Sequence, residues 1–155
     1  MAAPARAEAS PLSPSVAVNA GVVAAVAPGR ASPSMELSAA LRFADSRWSL
    51  AALFDGWTLG PSGTYPASSE ITGALGPAIR GALTQDLFWT VAAGPAFSYS
   101  STAVGESVWR PGVVVAPGIE LATRRLDLAL DLGGRAMLFT NGPRFALVAG
   151  ARYAF

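Results

Sequence analysis

Apolar residues recur at every second position along most of this chain, the spacing of strands whose two faces meet different surroundings. In the last segment Phe145, Leu147, Ala149, Ala151, Tyr153 and Phe155 share one face, against Arg144, Ala146, Val148, Gly150 and Arg152. The segment before it sets Leu126, Leu128, Leu130, Leu132, Ala136 and Leu138 against Asp127, Asp131 and Arg135. Working backward, apolar faces form at Trp109, Val113, Val115, Ile119 and Leu121, then at Leu87, Trp89, Val91, Phe97 and Tyr99. Ile71, Leu75, Ile79 and Leu83 follow, then Trp48, Leu50, Ala52 and Phe54. Met35, Leu37, Leu41 and Phe43 precede these, and Val16, Val18, Val22 and Val26 come first. Helical spacing fits poorly, because 16 Gly and 12 Pro interrupt the apolar segments. The pattern therefore predicts eight strands, an even number that suits an antiparallel up-and-down sheet.

The connections fall near 28–34, 45–47, 60–68, 84–86, 101–107, 124–125 and 140–142. The second, fourth and sixth read as tight (Asp45-Ser46, Gln85-Asp86, Arg124-Arg125), and the first, third and fifth as longer and rich in Gly, Pro and Ser. The last, Asn141-Gly142, carries a type I′ hairpin signal. Pro77, Pro95, Pro111 and Pro117 stand inside predicted strands beside glycines, which predicts bulges or bends there.

The strand charges decide which face is enclosed. Arg42, Arg80, Arg110, Arg124, Arg135, Arg144 and Arg152 share one face with Glu36, Asp55, Glu70, Glu120, Asp127 and Asp131. The residues between them are mostly Ala, Gly and Ser, small enough for a crowded interior, and the two signs nearly cancel as enclosed charges must. A water-facing sheet would carry Lys and Glu instead. The apolar face then meets lipid, and in hydrocarbon a sheet must close so that every backbone group is paired. The fold expected is all-β: a closed eight-stranded antiparallel transmembrane barrel with a polar, salt-bridged interior. An inverted phase would give a soluble, lipocalin-like barrel with an apolar cavity.

Within that interior, Arg80, Glu120, Asp131 and Arg152 are expected at a comparable depth, with Glu120 and Asp131 on adjacent strands, and Arg42 belongs to the same luminal charge network. Glu36, Asp55, Arg135 and Arg144 are expected to form a second layer, and Glu70 and Arg110 to lie nearer one mouth. The aromatics fall into two girdles of the kind that mark membrane interfaces. Phe43, Trp48, Trp89, Tyr153 and Phe155 lie at the tight-turn end, and Phe97, Tyr99, Trp109 and Phe145 at the other.

Composition narrows the chemistry. The 155 residues are 52% hydrophobic and 14% charged, all 11 basic residues are Arg, and neither Cys nor His occurs. Disulfides, thiolate nucleophiles, imidazole metal ligands and Ser-His-Asp triads are excluded. No catalytic or metal site and no cofactor is predicted. A net charge of +1 without basic runs argues against nucleic acid. No apolar run reaches the length of a spanning helix. Residues 1–14 read as a disordered Ala/Pro-rich arm or linker and 15–155 as the barrel, with no convincing signal peptide.

The chain resembles the small eight-stranded bacterial outer-membrane barrels, such as the transmembrane domain of outer membrane protein A. In that family the last strand ends in Phe with hydrophobic residues at alternate positions before it, and the barrel-assembly machinery recognises that strand. Phe145, Leu147, Tyr153 and Phe155 match this pattern. The resemblance implies residence in the outer membrane, contact with its lipid and termini on the periplasmic side. Enzymes of this kind use His, which is absent here. Three functions are therefore expected in turn: a non-enzymatic structural or anchoring barrel, a narrow conduit for ions or small apolar solutes, or the soluble ligand-binding barrel. No residue pattern names a small-molecule ligand.

Overall fold

The computed structural model describes residues 12–25, 29–43, 46–60, 67–102, 104–123 and 127–155. Eight strands run β1 (Leu12–Ala25), β2 (Arg30–Phe43), β3 (Trp48–Leu59), β4 (Ser68–Ala82), β5 (Leu87–Thr102), β6 (Ser107–Ala122), β7 (Leu128–Phe139) and β8 (Gly142–Ala154). Each pairs antiparallel with its sequence neighbours, and β1 pairs with β8 from Ser15↔Ala154 to Ala25↔Arg144, closing the barrel. Closure removes both sheet edges, so the ladder continues around the whole wall. The closing seam ends with the Phe155 N–H donating to the Pro14 carbonyl at 3.0 Å. Two glycines permit that seam: a Cβ on Gly21 would stand 2.0 Å from the Leu147 carbonyl, and one on Gly150 2.0 Å from the Val18 carbonyl.

The two faces sort as the alternation predicts. Leu37, Phe54, Leu75, Leu132 and Leu147 point outward, Leu147 with 64% of its surface bare. Glu36, Asp55, Glu70, Glu120 and Arg144 point inward and are buried. The soluble, inverted barrel is thereby excluded. An apolar exterior continuous around a closed wall is stable in hydrocarbon and not in water.

Four sequence expectations need correction. β2 starts at Arg30 and β5 runs to Thr102, so the first and fifth connections shrink to 26–29 and 103–106, and only 60–67 is longer than the turns at the other end. The Ser and Pro residues that suggested a long first loop belong to β2: Ser32 and Ser34 are buried in the lumen and Pro33 pairs with Val22. β1 begins at Leu12, so Leu12, Ser13 and Pro14 pair with β2 and extend the wall beyond the expected start at Ser15. Asp127 precedes β7 and is exposed. Residues 1–11, Val26, Asp45, Arg124, Arg125 and Leu126 lie outside the described residues.

The prolines are accommodated without bulges. Between Ala74↔Ala96 and Ala78↔Ala92 the β4–β5 ladder lapses over Leu75–Pro77 and Ala93–Pro95, with equal residue counts on both sides. The β6–β7 ladder lapses likewise between Val115↔Ala136 and Gly118↔Gly133, beside Pro117. Each proline stays paired on its other side: Pro77 with Leu50, Pro95 with Val113, Pro117 with Val91. A missing N–H removes ladder bonds toward one neighbour only, so register survives. Pro111 remains paired with Phe97.

The barrel is expected to migrate faster on a cold SDS gel than after boiling. Leu132→Arg, in the middle of β7, is expected to lower stability by about 2–4 kcal/mol and Leu83→Arg, in the 83–86 turn, by about 0–1 kcal/mol. Urea unfolding in lipid vesicles measures both, and equal costs would contradict the placement of the apolar band.

Candidate functional site: the charged lumen

Alternation puts one residue in two from each strand into a lumen that eight strands leave just wide enough for side chains to fill. The end holding the chain termini and the connections 44–47, 83–86 and 123–127 is called the terminal end below.

Near the terminal end, Glu120 on β6 gathers three arginines. Arg42 on β2 reaches it at 2.6 Å, Arg80 on β4 at 2.7 Å and Arg152 on β8 at 3.6 Å. Arg152 also holds Asp131 at 2.7 Å and donates to the Ser15 hydroxyl at 3.3 Å. Glu120 and Asp131 are register partners, and the arginines between them offset the repulsion of two adjacent carboxylates. Phe88, also turned inward, lies under the Arg80 guanidinium at 3.3 Å. The four residues expected at this depth are thus brought together, and Arg42 of the same charge network joins them.

The second layer forms only in part. Arg135 on β7 grips Glu36 on β2 with a fork, Nε to Oε2 at 2.6 Å and Nη2 to Oε1 at 2.7 Å, and Asn19 donates to Oε1 at 2.7 Å. Asp55 sits opposite Glu36 in register and is buried, yet neither of its carboxylate oxygens has a hydrogen-bond partner. Arg135 commits Nε and Nη2 to Glu36 and turns Nη1 to the Gly134 carbonyl, and none of these donors reaches Asp55. Arg144 leaves this layer altogether and pairs with Glu70 at 3.6 Å, nearer the opposite mouth. There Ser98 donates to Glu70 and Arg110 donates to Ser100, each at 2.5 Å.

Sequence reasoning missed an apolar plug. Val23, Trp57, Val114, Met137, Phe139 and Val148 pack together inside the half of the lumen away from the terminal end. Parity with Asp55 and Arg135 already placed Trp57, Met137 and Phe139 inward, so the signal was present. Between the plug and the Glu120 cluster a cavity of about 70 Å³ remains, lined by Asn19, Ser38, Arg80, Asp131 and Arg135 among others. That is room for a few waters. Among the described residues no group of three or more Asp, Glu, His or Cys is placed to hold a metal ion.

The predicted girdle residues face outward. Phe43, Trp48, Tyr153 and Phe155 are exposed at the terminal end, and Phe97, Trp109 and Phe145 at the other. Tyr99 meets Trp109 at 4.8 Å with the rings tilted, and Trp109 also meets Phe97 at 5.6 Å. Trp89 and Phe97 cover glycines on the neighbouring strand: a Cβ on Gly81 or Gly73 would collide with those rings. Aromatic cover of this kind restores the contacts a bare glycine lacks.

An eight-stranded closed wall, an apolar exterior and a charged, plugged interior define the architecture. The fold is that of the eight-stranded outer-membrane β-barrels. Neisserial surface protein A aligns over 94% of this chain and 98% of its own, with a TM-score of 0.74 at 15% identity. The N-terminal β-barrel domain of Pseudomonas aeruginosa OprF covers 91% of the chain and 97% of its own, at 0.63 and 12%. Ail, the attachment invasion locus protein of Yersinia pestis, covers 93% and 97%, at 0.58 and 15%. No protein-family model matches the chain, and no curated protein matches it.

Charge placement in this outer-membrane-type barrel gives opposite expectations for two buried acids. Glu120→Gln strips one carboxylate from three arginines and is expected to lower stability by about 2–3 kcal/mol, moderated by the partial exposure of its partners. Asp55→Asn removes an unpaired buried charge facing Glu36 and is expected to leave stability unchanged or raise it. Urea midpoints read by tryptophan fluorescence decide both.

Proposed function

We propose that this chain is an integral protein of the bacterial outer membrane, non-enzymatic, with a structural or membrane-anchoring role and both termini toward the periplasm. The observation that carries this reading is the sealed lumen. Arg42–Glu120 and Arg144–Glu70 each join strands four places apart around an eight-membered ring, so each spans the barrel's full width. The apolar plug fills the space around the second of them. Among the described luminal carboxylates, those of Glu36, Glu70, Glu120 and Asp131 are held by arginines and so serve as cross-links of the wall, with Asp55 the exception.

The exterior supports lipid as the principal partner. Its apolar band is flanked by the aromatic residues of both ends, Phe43, Trp48, Trp89, Tyr153 and Phe155 below and Phe97, Tyr99, Trp109 and Phe145 above, as rings at two headgroup levels would be. The last strand supports recognition by the barrel-assembly machinery: Phe145, Leu147, Tyr153 and Phe155 all point outward on the strand that closes the seam. Tyr153 and Phe155 meet edge to face at 4.9 Å. Residues 1–11, ahead of β1, are the part of the chain offered to a periplasmic anchor.

Reconstituted in a planar bilayer, the purified barrel is expected to stay electrically silent across the physiological range of potentials. Steady unitary conductance steps would replace the structural reading with that of a narrow conduit.

A further inference from the structure

A second concavity opens at the terminal mouth, between the start of β3 and the end of β4. Its volume is about 130 Å³, and Arg42, Arg47, Arg80, Ser46, Ser49 and Phe88 contribute to its lining. Among the described residues no carboxylate lines it. Arg42 and Arg80 use Nη2 to hold Glu120, which leaves most of their N–H donors unspent, and the buried Nε of Arg80 has no acceptor at all. Arg47 is exposed and has no ion pair among the described residues. Among the described residues the neighbouring tier sets three arginines (Arg42, Arg80, Arg152) against two carboxylates (Glu120, Asp131), and Arg47 adds a fourth cation. Phe88 lies against the Arg80 guanidinium from one side.

We propose that this mouth binds a phosphate-type oxyanion. Guanidinium forks match the oxygens of a tetrahedral anion in charge and spacing, and the Ser46 and Ser49 hydroxyls add neutral donors at the rim. The space suits one such anion with attendant water, not an extended chain. Trp48 forms part of the same wall and is exposed on the outer side, which sets the cavity at the level where lipid headgroups lie against the barrel. The oxyanion is therefore either the phosphate of a lipid headgroup or free phosphate.

Calorimetric titration of the barrel in neutral maltoside micelles separates these, using inorganic phosphate in one arm and dihexanoyl phosphatidylglycerol in the other, with chloride at matched ionic strength as the blank. Saturable one-to-one binding is expected in at least one arm. Binding of inorganic phosphate at least as tight as that of the short lipid assigns a free-anion site, and tighter binding of the lipid assigns a headgroup site. Arg47→Gln is expected to weaken either by about tenfold, with cold-gel migration unchanged. Arg110→Gln, at the far mouth, is expected to leave it unaltered. No saturable binding above chloride in either arm, or an affinity untouched by Arg47→Gln, overturns the proposal.

Discussion

Every backbone donor and acceptor of a strand placed in hydrocarbon must find a partner in the protein, because no water is there to supply one. This constraint governs the rest of the molecule. It makes β1 meet β8, and it requires glycine at Gly21 and Gly150, where the two chains approach too closely for a Cβ. It also limits where proline can sit. Pro77, Pro95 and Pro117 each forgo bonds to one neighbour while keeping the other, so the ladder thins locally without slipping. A slip by one residue would carry the charges of a strand into lipid.

Once the wall is closed, its interior becomes a space of fixed small width that must be filled with whatever the inward positions carry. Arginine is suited to that space because its long arm reaches across and its planar head takes two acceptors. Glu120 shows the result: one carboxylate neutralises parts of three guanidiniums that start from β2, β4 and β8. Toward the other end the filling changes character. The half of the lumen away from the termini relies on Trp57, Met137, Phe139 and valines, with Glu70 and Arg144 among them.

The strand count, closure and orientation of faces were all legible in the sequence, since period-two alternation with charges confined to one parity has few other physical explanations. The Glu120 cluster was legible as well, because register in an up-and-down sheet follows from the turns. Loop lengths were less so. Serine and proline carry the same signal in a turn and in a lumen-facing strand, and Ser32, Pro33 and Ser34 were misjudged for that reason. The partner of Arg144 was not legible either. Which of several acids an arginine reaches depends on side-chain length and on where its fork is directed, as Arg135 shows by taking Glu36 with two donors and leaving Asp55 without one.

The two ion pairs that join opposite walls have a mechanical meaning. A thin cylinder resists stretching along its hydrogen-bonded hoop far better than it resists being squashed into an ellipse, and bilayer lateral pressure acts in the squashing sense. Arg42–Glu120 and Arg144–Glu70 behave as spokes near the two rims. Widening along either diameter would pull a charged pair apart in a poorly solvated space, so the cross-section is held round from within.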